Sequence, residues 1–396
     1  MSNILFAYEN EVPTVSMMRE MFSSIDDNFG FISIFSSIQK IDENVINTSD
    51  VIVLVRATDP LSVDLAKAAQ KAHKFIVAYY DDDLMNRPYD RPIISWRRGN
   101  VRRILELADL VLTSNSRIGE KYKNFTRSKR FVQMHTIVQK SELRSTRKEQ
   151  SSTVRILYAA NPSHVVLIDR FIKPAIKELS DINYNISFHF LGVHPLFEKD
   201  DLPHNLQVEY IPTMPFKDYR NYMSLHDFDI GLAPIFEDEF SKCKYINKFI
   251  EYGIFEIAGI FTNSEPYTDV VISDSNGLLV KNDPVEWSMA LRSLIEDRQR
   301  RDRLGHNALE TIKMNFSQEA ILTRLIDQIP ELVSYKSPNI SIKWGFIPGI
   351  KYRVYRGEEL FYLAFKYLTN KGISGLNEKI KNHVSEHNSF NGGSKA

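Results

Sequence analysis

Residues 229–280 read DIGLAPIFEDEFSKCKYINKFIEYGIFEIAGIFTNSEPYTDVVISDSNGLLV, and the order of patterns in them decides the fold. The run 230–233 is short, apolar and closed by Pro234, as a buried strand is. An acidic loop follows, then 246–255 with Ile246, Phe249, Ile250 and Ile254 at helical spacing, then a small-residue strand at 259–262. Strand, helix and strand in that order pair in parallel through a crossover. Upstream the same text gives strands at 154–158, 186–191 and 208–210, with helices at 168–179 and 216–224. Downstream, 283–297 and 301–315 read as two closing helices. Residues 154–335 are therefore expected to form one doubly wound α/β domain.

The alternation also occupies residues 1–140. Apolar runs at 4–8, 31–35, 51–55, 75–80 and 110–113 read as strands, and 12–22, 62–73 and 101–107 as helices. Between the two regions, 141–153 reads SELRSTRKEQSST. That stretch is polar, lacks apolar periodicity and reads as an exposed linker. The expected fold is α/β, with two Rossmann-like doubly wound domains facing a central cleft. Ligands bind where the carboxyl ends of parallel strands, their loops and helix N-termini converge. Residues 336–396 form a basic, aromatic extension, expected to be helical with a disordered tail. Its rings and cationic stems suit either a membrane–water interface or a helix packed back on the body.

Composition narrows the function class. The chain has 396 residues, 43% hydrophobic, with 50 Lys+Arg against 50 Asp+Glu; this excludes a disordered chain and leaves enough for two cores. The one cysteine, Cys243, excludes an intramolecular disulfide and a multi-cysteine zinc site, and reads as a buried thiol. The amino terminus lacks a basic segment followed by an apolar one, and no run spans a bilayer, so a cytoplasmic location is expected. Charge is uneven: residues 87–103 hold six Arg against one Asp. Such blocks are either solvated faces or attract an anionic surface or substrate. They match no nucleic-acid reader fold, so no nucleic-acid partner is expected.

Lys244, Lys248 and Glu251 fall at i, i+4 and i+7, on one face of the expected helix. Two cations and a carboxylate at the mouth of a sheet suit a nucleotide diphosphate, the lysines for phosphate and the carboxylate for ribose hydroxyls. The same spacing also suits a surface salt-bridge helix, worth about 0.5 kcal/mol. Asp81, Asp82 and Asp83 follow an apolar strand. Asp-x-Asp there is one way to hold a divalent cation through nucleotide phosphates, the other reading being loop ordering beside an acceptor hydroxyl. Asp81, Asp83 and His135 are the candidate catalytic groups, one of them serving as general base if the reaction inverts.

The run KYINKFIEYGIFEIAGIFTNSEPYTDVV followed by NGLLV resembles the donor-binding signature of GT-B glycosyltransferases of the group 1, family 4-like type. VAYYDDDLMNRP (77–88), LADLVLTSNSRIGEKYKN (107–124) and 283–317 resemble other parts of the same proteins, so the likeness covers about residues 1–330. It implies transfer of a sugar from a nucleotide-diphosphate sugar, held by the second domain, to an acceptor held by the first, without a metal or other cofactor. Glu251 matches the second Glu of the family's Glu–seven residues–Glu pattern, which holds the ribose; the first falls on Cys243. The usual Gly-Arg…Lys phosphate clamp is replaced by AANPSHVVLIDR, which puts Asn161, Ser163 and His164 on that loop and leaves positive charge to Lys244 and Lys248. Ser264, Glu265, Pro266 and Tyr267 occupy the turn that carries backbone N–H groups to the diphosphate in relatives. Arg87, Arg91, Arg97 and Arg98 suit an anionic, lipid-linked or surface-polysaccharide acceptor and peripheral contact with the inner face of a membrane, as in cell-envelope polysaccharide biosynthesis. Rival readings are a nucleotide-sugar 2-epimerase of the same fold, a non-catalytic transferase-like partner subunit, and an exported two-lobed binding protein.

Overall fold

The computed structural model describes residues 2–23, 30–86, 94–136, 138, 151–197, 202–344, 353–357 and 360–361. Arg87, Arg91, nearly all of the expected linker and the tail beyond 361 lie outside the described residues.

The first domain carries β1 (Ser2–Tyr8), α1 (Pro13–Ser23), β2 (Phe31–Ser37), α2 (Glu43–Thr48), β3 (Val51–Val55), α3 (Pro60–Lys71), β4 (Phe75–Tyr80), α4 (Ile94–Leu107), β5 (Leu110–Thr113), α5 (Ser116–Lys123) and β6 (Phe131–Gln133). Its sheet has the order β2-β1-β3-β4-β5-β6, and all of its pairs are parallel. Both faces are covered, which is why the strands read as continuous apolar runs. Leu5, Ile52 and Ile76 pack with Leu65, Val101 and Ile104 on one side, while Ile4, Phe6 and Val53 pack with Met18 and Phe22 on the other. Helix starts follow local chemistry: Asp59 caps α3 through the amides of Leu61 and Ser62, with Pro60 in the first turn, and Asn115 caps α5 through Arg117.

The second domain holds β7 (Thr153–Ala159), β8 (Asn185–Leu191), β9 (Leu206–Ile211), α6 (Phe216–Leu225), β10 (Ile230–Ala233), α7 (Asn247–Ile254), β11 (Ala258–Thr262), β12 (Leu278–Val280), α8 (Pro284–Glu296) and α9 (Arg298–Asn315). Its strands run β12-β11-β10-β7-β8-β9, again in parallel. The helix expected at 168–179 is broken: a 3-10 turn at Pro162–His164 leads into a short α stretch, a π turn at Ile168–Ile172 and a last turn at Lys173–Lys177. Pro174 has no amide to donate, which disrupts regular i to i−4 bonding there.

Two placements differ from the sequence reading. Lys244 is not on α7; it precedes the helix in an extended conformation, after a 3-10 turn at Ser241–Cys243. Residues 318–334, read with the second domain, form helices α10 (Gln318–Gln328) and α11 (Glu331–Ser334), which bond to the first. Gln318 donates to Met21 O at 3.2 Å, Arg130 pairs with Glu331 at 2.6 Å, and Ser2 donates to Tyr335 O at 2.9 Å. Periodicity reports that these helices have an apolar face and is silent about which core receives it. No described helix is long and apolar enough to cross a membrane.

Candidate functional site

The carboxyl ends of the two sheets face one another. Asn115, just past β5, donates through Nδ2 to Lys242 O at 3.1 Å and Lys244 O at 3.0 Å, in the loop past β10. Arg117 reaches Glu265, past β11, and Glu239 at 3.3 Å. Tyr245 Oη accepts from the Thr136 amide at 2.8 Å. Cys243 is fully buried, as expected, packs with the core of the first domain and lies 3.6 Å from Lys121 Nζ; burial pushes its thiol up.

In the second sheet the chain reverses direction between β7 and β10, which opens a crevice above their carboxyl ends. Asn161 and His164 lie on the loop past β7, and the side chain of Ser163 is outside the described residues. Burial pulls the His164 imidazole down to about 4, and the cations of Lys244 and Lys248 add to the shift, so His164 is neutral near pH 7 with both lysines close by. Burial also lowers Lys244, opposed by Asp82 of the first domain and by Asp238. Lys248 pairs with Glu251 on α7, and Tyr219 of α6 donates to the same Glu251 oxygen at 2.7 Å. Tyr219 is buried, and burial together with the Glu251 charge keeps its phenol protonated. A carboxylate held by an ammonium and a phenol at a sheet mouth is oriented to accept hydroxyl hydrogen bonds.

The turn past β11 holds Ser264, Glu265, Pro266 and Tyr267. The amides of Ser264, Tyr267 and Thr268 donate to carbonyls within the turn, at 2.7, 3.0 and 3.3 Å. The Tyr267 ring packs on Phe261 at 4.8 Å between centroids and is buried, so it belongs to the core under the crevice rather than to its surface.

The first sheet has its own reversal, between β1 and β3. Arg56, just past β3 with φ 51°, pairs with Asp81 and, at 3.3 Å, with Asp82; Thr14 at the start of α1 donates to Asp81 as well. Asp83 turns away from this crevice. It is completely buried and accepts from Tyr122 Oη at 2.9 Å, Lys121 Nζ at 3.0 Å and Asn86 Nδ2 at 2.9 Å. The three aspartates thus have cationic or hydroxyl partners from the chain itself. Among the described residues, no group of three or more His, Cys, Asp or Glu is arranged to hold a metal ion.

His135 lies past β6, packed edge-on against Phe316 at 5.1 Å and beside Tyr245. Burial, then the nearby Arg324 charge, lowers it to about 4. It lines a cavity of about 210 Å³ with Gln133, Met134, Ile321, Arg324, Leu325 and Gln328, between the first domain and the returning helix α10. Arg98 is exposed and donates to Met85 O at 2.6 Å, and Arg97 is half-buried on the same helix. The structure thus brings His164, Lys244, Lys248 and Glu251 together and Asp81 to the opposite crevice, while Asp83 and His135 lie elsewhere. Sequence reasoning missed Tyr219, Arg56, Thr14, Asn115 and Arg117. Only Asn115 carried a local signal, as the N-cap of a helix.

No family model and no curated protein matches this sequence. Solved structures do match its fold. HepE of Anabaena, solved in complex with UDP and glucose, is 14% identical with a TM-score of 0.58, over 84% of this chain and 100% of HepE. Sucrose-phosphate synthase from Thermosynechococcus elongatus is 11% identical with a TM-score of 0.57, over 84% of this chain and 99% of the other. The apo form of the lipopolysaccharide outer core galactosyltransferase WaaB is 12% identical with a TM-score of 0.56, over 83% and 99%. The chain has the two-domain GT-B fold of these enzymes.

Proposed function

From that fold we propose that the protein transfers a hexose from a nucleotide-diphosphate sugar to a lipid-linked or surface-polysaccharide acceptor at the inner face of the cytoplasmic membrane. The observation that carries the reading is the cluster of His164, Lys244, Lys248, Glu251 and Tyr219 at the reversal of the second sheet. Lys244 and Lys248 face the diphosphate beside the loop of Asn161, Ser163 and His164, and Glu251 accepts the ribose hydroxyls. Ser264 and Pro266 bound the diphosphate from the turn past β11. With two lysines opposite the phosphates, the chain itself supplies countercharge, and the reaction needs no metal or other cofactor. HepE supports the donor class, since it was solved with UDP and glucose, and WaaB supports an envelope acceptor. The acceptor hydroxyl approaches the first crevice. There Asp81, held by Arg56 and Thr14, is the better placed general base than Asp83 or His135.

The test is a thermal-shift screen of the full chain against UDP, GDP, dTDP, CMP and their sugars, with and without Mn²⁺. One nucleotide diphosphate at 100 times its Kd should stabilise by about 2.7 kcal/mol without metal. Glu251→Ala should abolish the shift. Unchanged nucleotide affinity in that variant would defeat the assignment, and conversion of a sugar nucleotide without an acceptor would turn the reading toward an epimerase.

A further inference from the structure

The cluster at the reversal of the second sheet is held from two sides. Lys248, Glu251 and Tyr219 bond to one another within the second domain. Lys244 stands outside that set. It is extended, with φ −71° and ψ 159°, and among the described residues its ammonium has no hydrogen-bond or ion-pair partner.

What fixes the chain around Lys244 comes from the first domain. Asn115 Nδ2 donates to the carbonyls of Lys242 at 3.1 Å and Lys244 at 3.0 Å, which flank Cys243, and the Cys243 side chain is buried in the first domain's core. One residue on, Tyr245 Oη accepts from the Thr136 amide at 2.8 Å. Four successive residues of the second domain, 242–245, are thus docked on the first, and the direction in which Lys244 leaves the backbone is set there.

Asn115 is the centre of this docking. It is 3% exposed, its Oδ1 accepts from the Arg117 amide at 2.8 Å as the N-cap of α5, and both protons of Nδ2 go to the two carbonyls. Carbonyls only accept, so the end that faces them is the NH2 and the side chain has one orientation that satisfies all three bonds. Two residues along, Arg117 crosses the same seam to Glu239 and Glu265. The Lys244 charge itself lies between the domains: burial pulls its ammonium down, and Asp82 of the first domain and Asp238 of the second oppose that pull.

We propose that Asn115 is a positioning residue for the donor site: from the first domain it holds the 242–245 segment so that Lys244 meets the diphosphate. Full donor affinity then requires the two domains to be docked. The inference rests on the assignment of Lys244 and Lys248 to the diphosphate and adds the residue that sets one of them.

The test uses Asn115→Ser in the full chain, because serine keeps a capping oxygen for α5 but ends short of the two carbonyls. Hydrogen exchange read by mass spectrometry should show the amides of 240–246 exchanging faster, with those of α5 and α7 like the parent. By isothermal titration the UDP Kd should rise about fivefold, the worth of roughly one neutral hydrogen bond. Lys244→Ala should also raise it, and Asn115→Ser added to Lys244→Ala should raise it no further, while added to Lys248→Ala it keeps its full effect. An Asn115 that only stabilised the fold would weaken UDP equally on every background. The proposal is overturned if Asn115→Ser binds UDP like the parent, if its effect persists beside Lys244→Ala, or if exchange at 240–246 does not change. A parent that binds no UDP, with the exchange pattern as expected, would sink the donor reading and leave Asn115 as the residue that holds Lys244 in place.

Discussion

Replacing Asp83 by Asn separates a structural carboxylate from a catalytic one. Asp83 has no exposed surface, and its two oxygens take three donors: Tyr122 on Oδ1, Lys121 and Asn86 on Oδ2. An asparagine of the same shape turns one acceptor into a donor. An NH2 at the Oδ2 end meets the Lys121 ammonium and the Asn86 amide, which only donate there, while an NH2 at the Oδ1 end forces the Tyr122 hydroxyl to turn its proton away and accept. In either orientation the charge that Lys121 pairs with is gone. Hydrogen bonds to a charged group contribute about 1.5–3 kcal/mol each, and a buried group left without a partner costs about 1–3 kcal/mol. Lys121 is 36% exposed at its side chain, so its share of the charge interaction is discounted for solvent. The sum is roughly 2–4 kcal/mol, which for a domain of this size lowers Tm by roughly 5–15 °C. Differential scanning calorimetry of the full chain measures it, with nucleotide titration as the second readout. A variant that melts like the parent, binds nucleotide normally and has lost transfer would refute the structural role and return Asp83 to the catalytic candidates. Asp81→Asn in parallel should show the reverse pattern, with donor binding intact and transfer lost.

Three other outcomes follow from the same contacts. Tyr219→Phe removes the 2.7 Å hydrogen bond to Glu251 but keeps the ring, so the nucleotide Kd should rise by roughly 3- to 10-fold, about 1 kcal/mol, by isothermal titration. His135 and His164, both lowered to about 4 from 6.5, bind fewer protons folded than unfolded between those values. Their contribution is whole above pH 6.5 and is lost as pH falls toward 4, by about 2–4 kcal/mol per histidine, and a urea series from pH 7.5 to 4 should lose about half of that slope in His135→Gln, the His164 share remaining. In Gly231→Ala the new Cβ would stand 2.5 Å from the ring of Tyr252, whose hydroxyl is tied to Leu232 O at 2.8 Å; the strain should cost about 1–3 kcal/mol by denaturant midpoint.

The alternation of apolar runs with helical spacing determined the two parallel sheets, because burial on both faces writes each strand into the sequence as a continuous local run. Strands 51–55, 75–80, 110–113 and 230–233 coincide with the structure for that reason. The break in the helix after β7 and the short strands Phe131–Gln133 and Leu278–Val280 left too little pattern to read. Of the cluster at the reversal of the second sheet, Lys248 and Glu251 were legible as neighbours because they share one helix, while Lys244 reaches the same place from an extended segment outside it. The tertiary structure alone decided which carboxylate faces a crevice: Asp81 and Asp83 are two residues apart, yet Arg56 and Thr14 hold one at the rim while Tyr122 and Lys121 hold the other in the core. It also decided that Tyr355 closes on Thr58, 297 residues away in sequence. Period and composition report only what a residue has beside it along the chain. Partners that arrive from another strand or the other domain are set by packing, which no local pattern encodes.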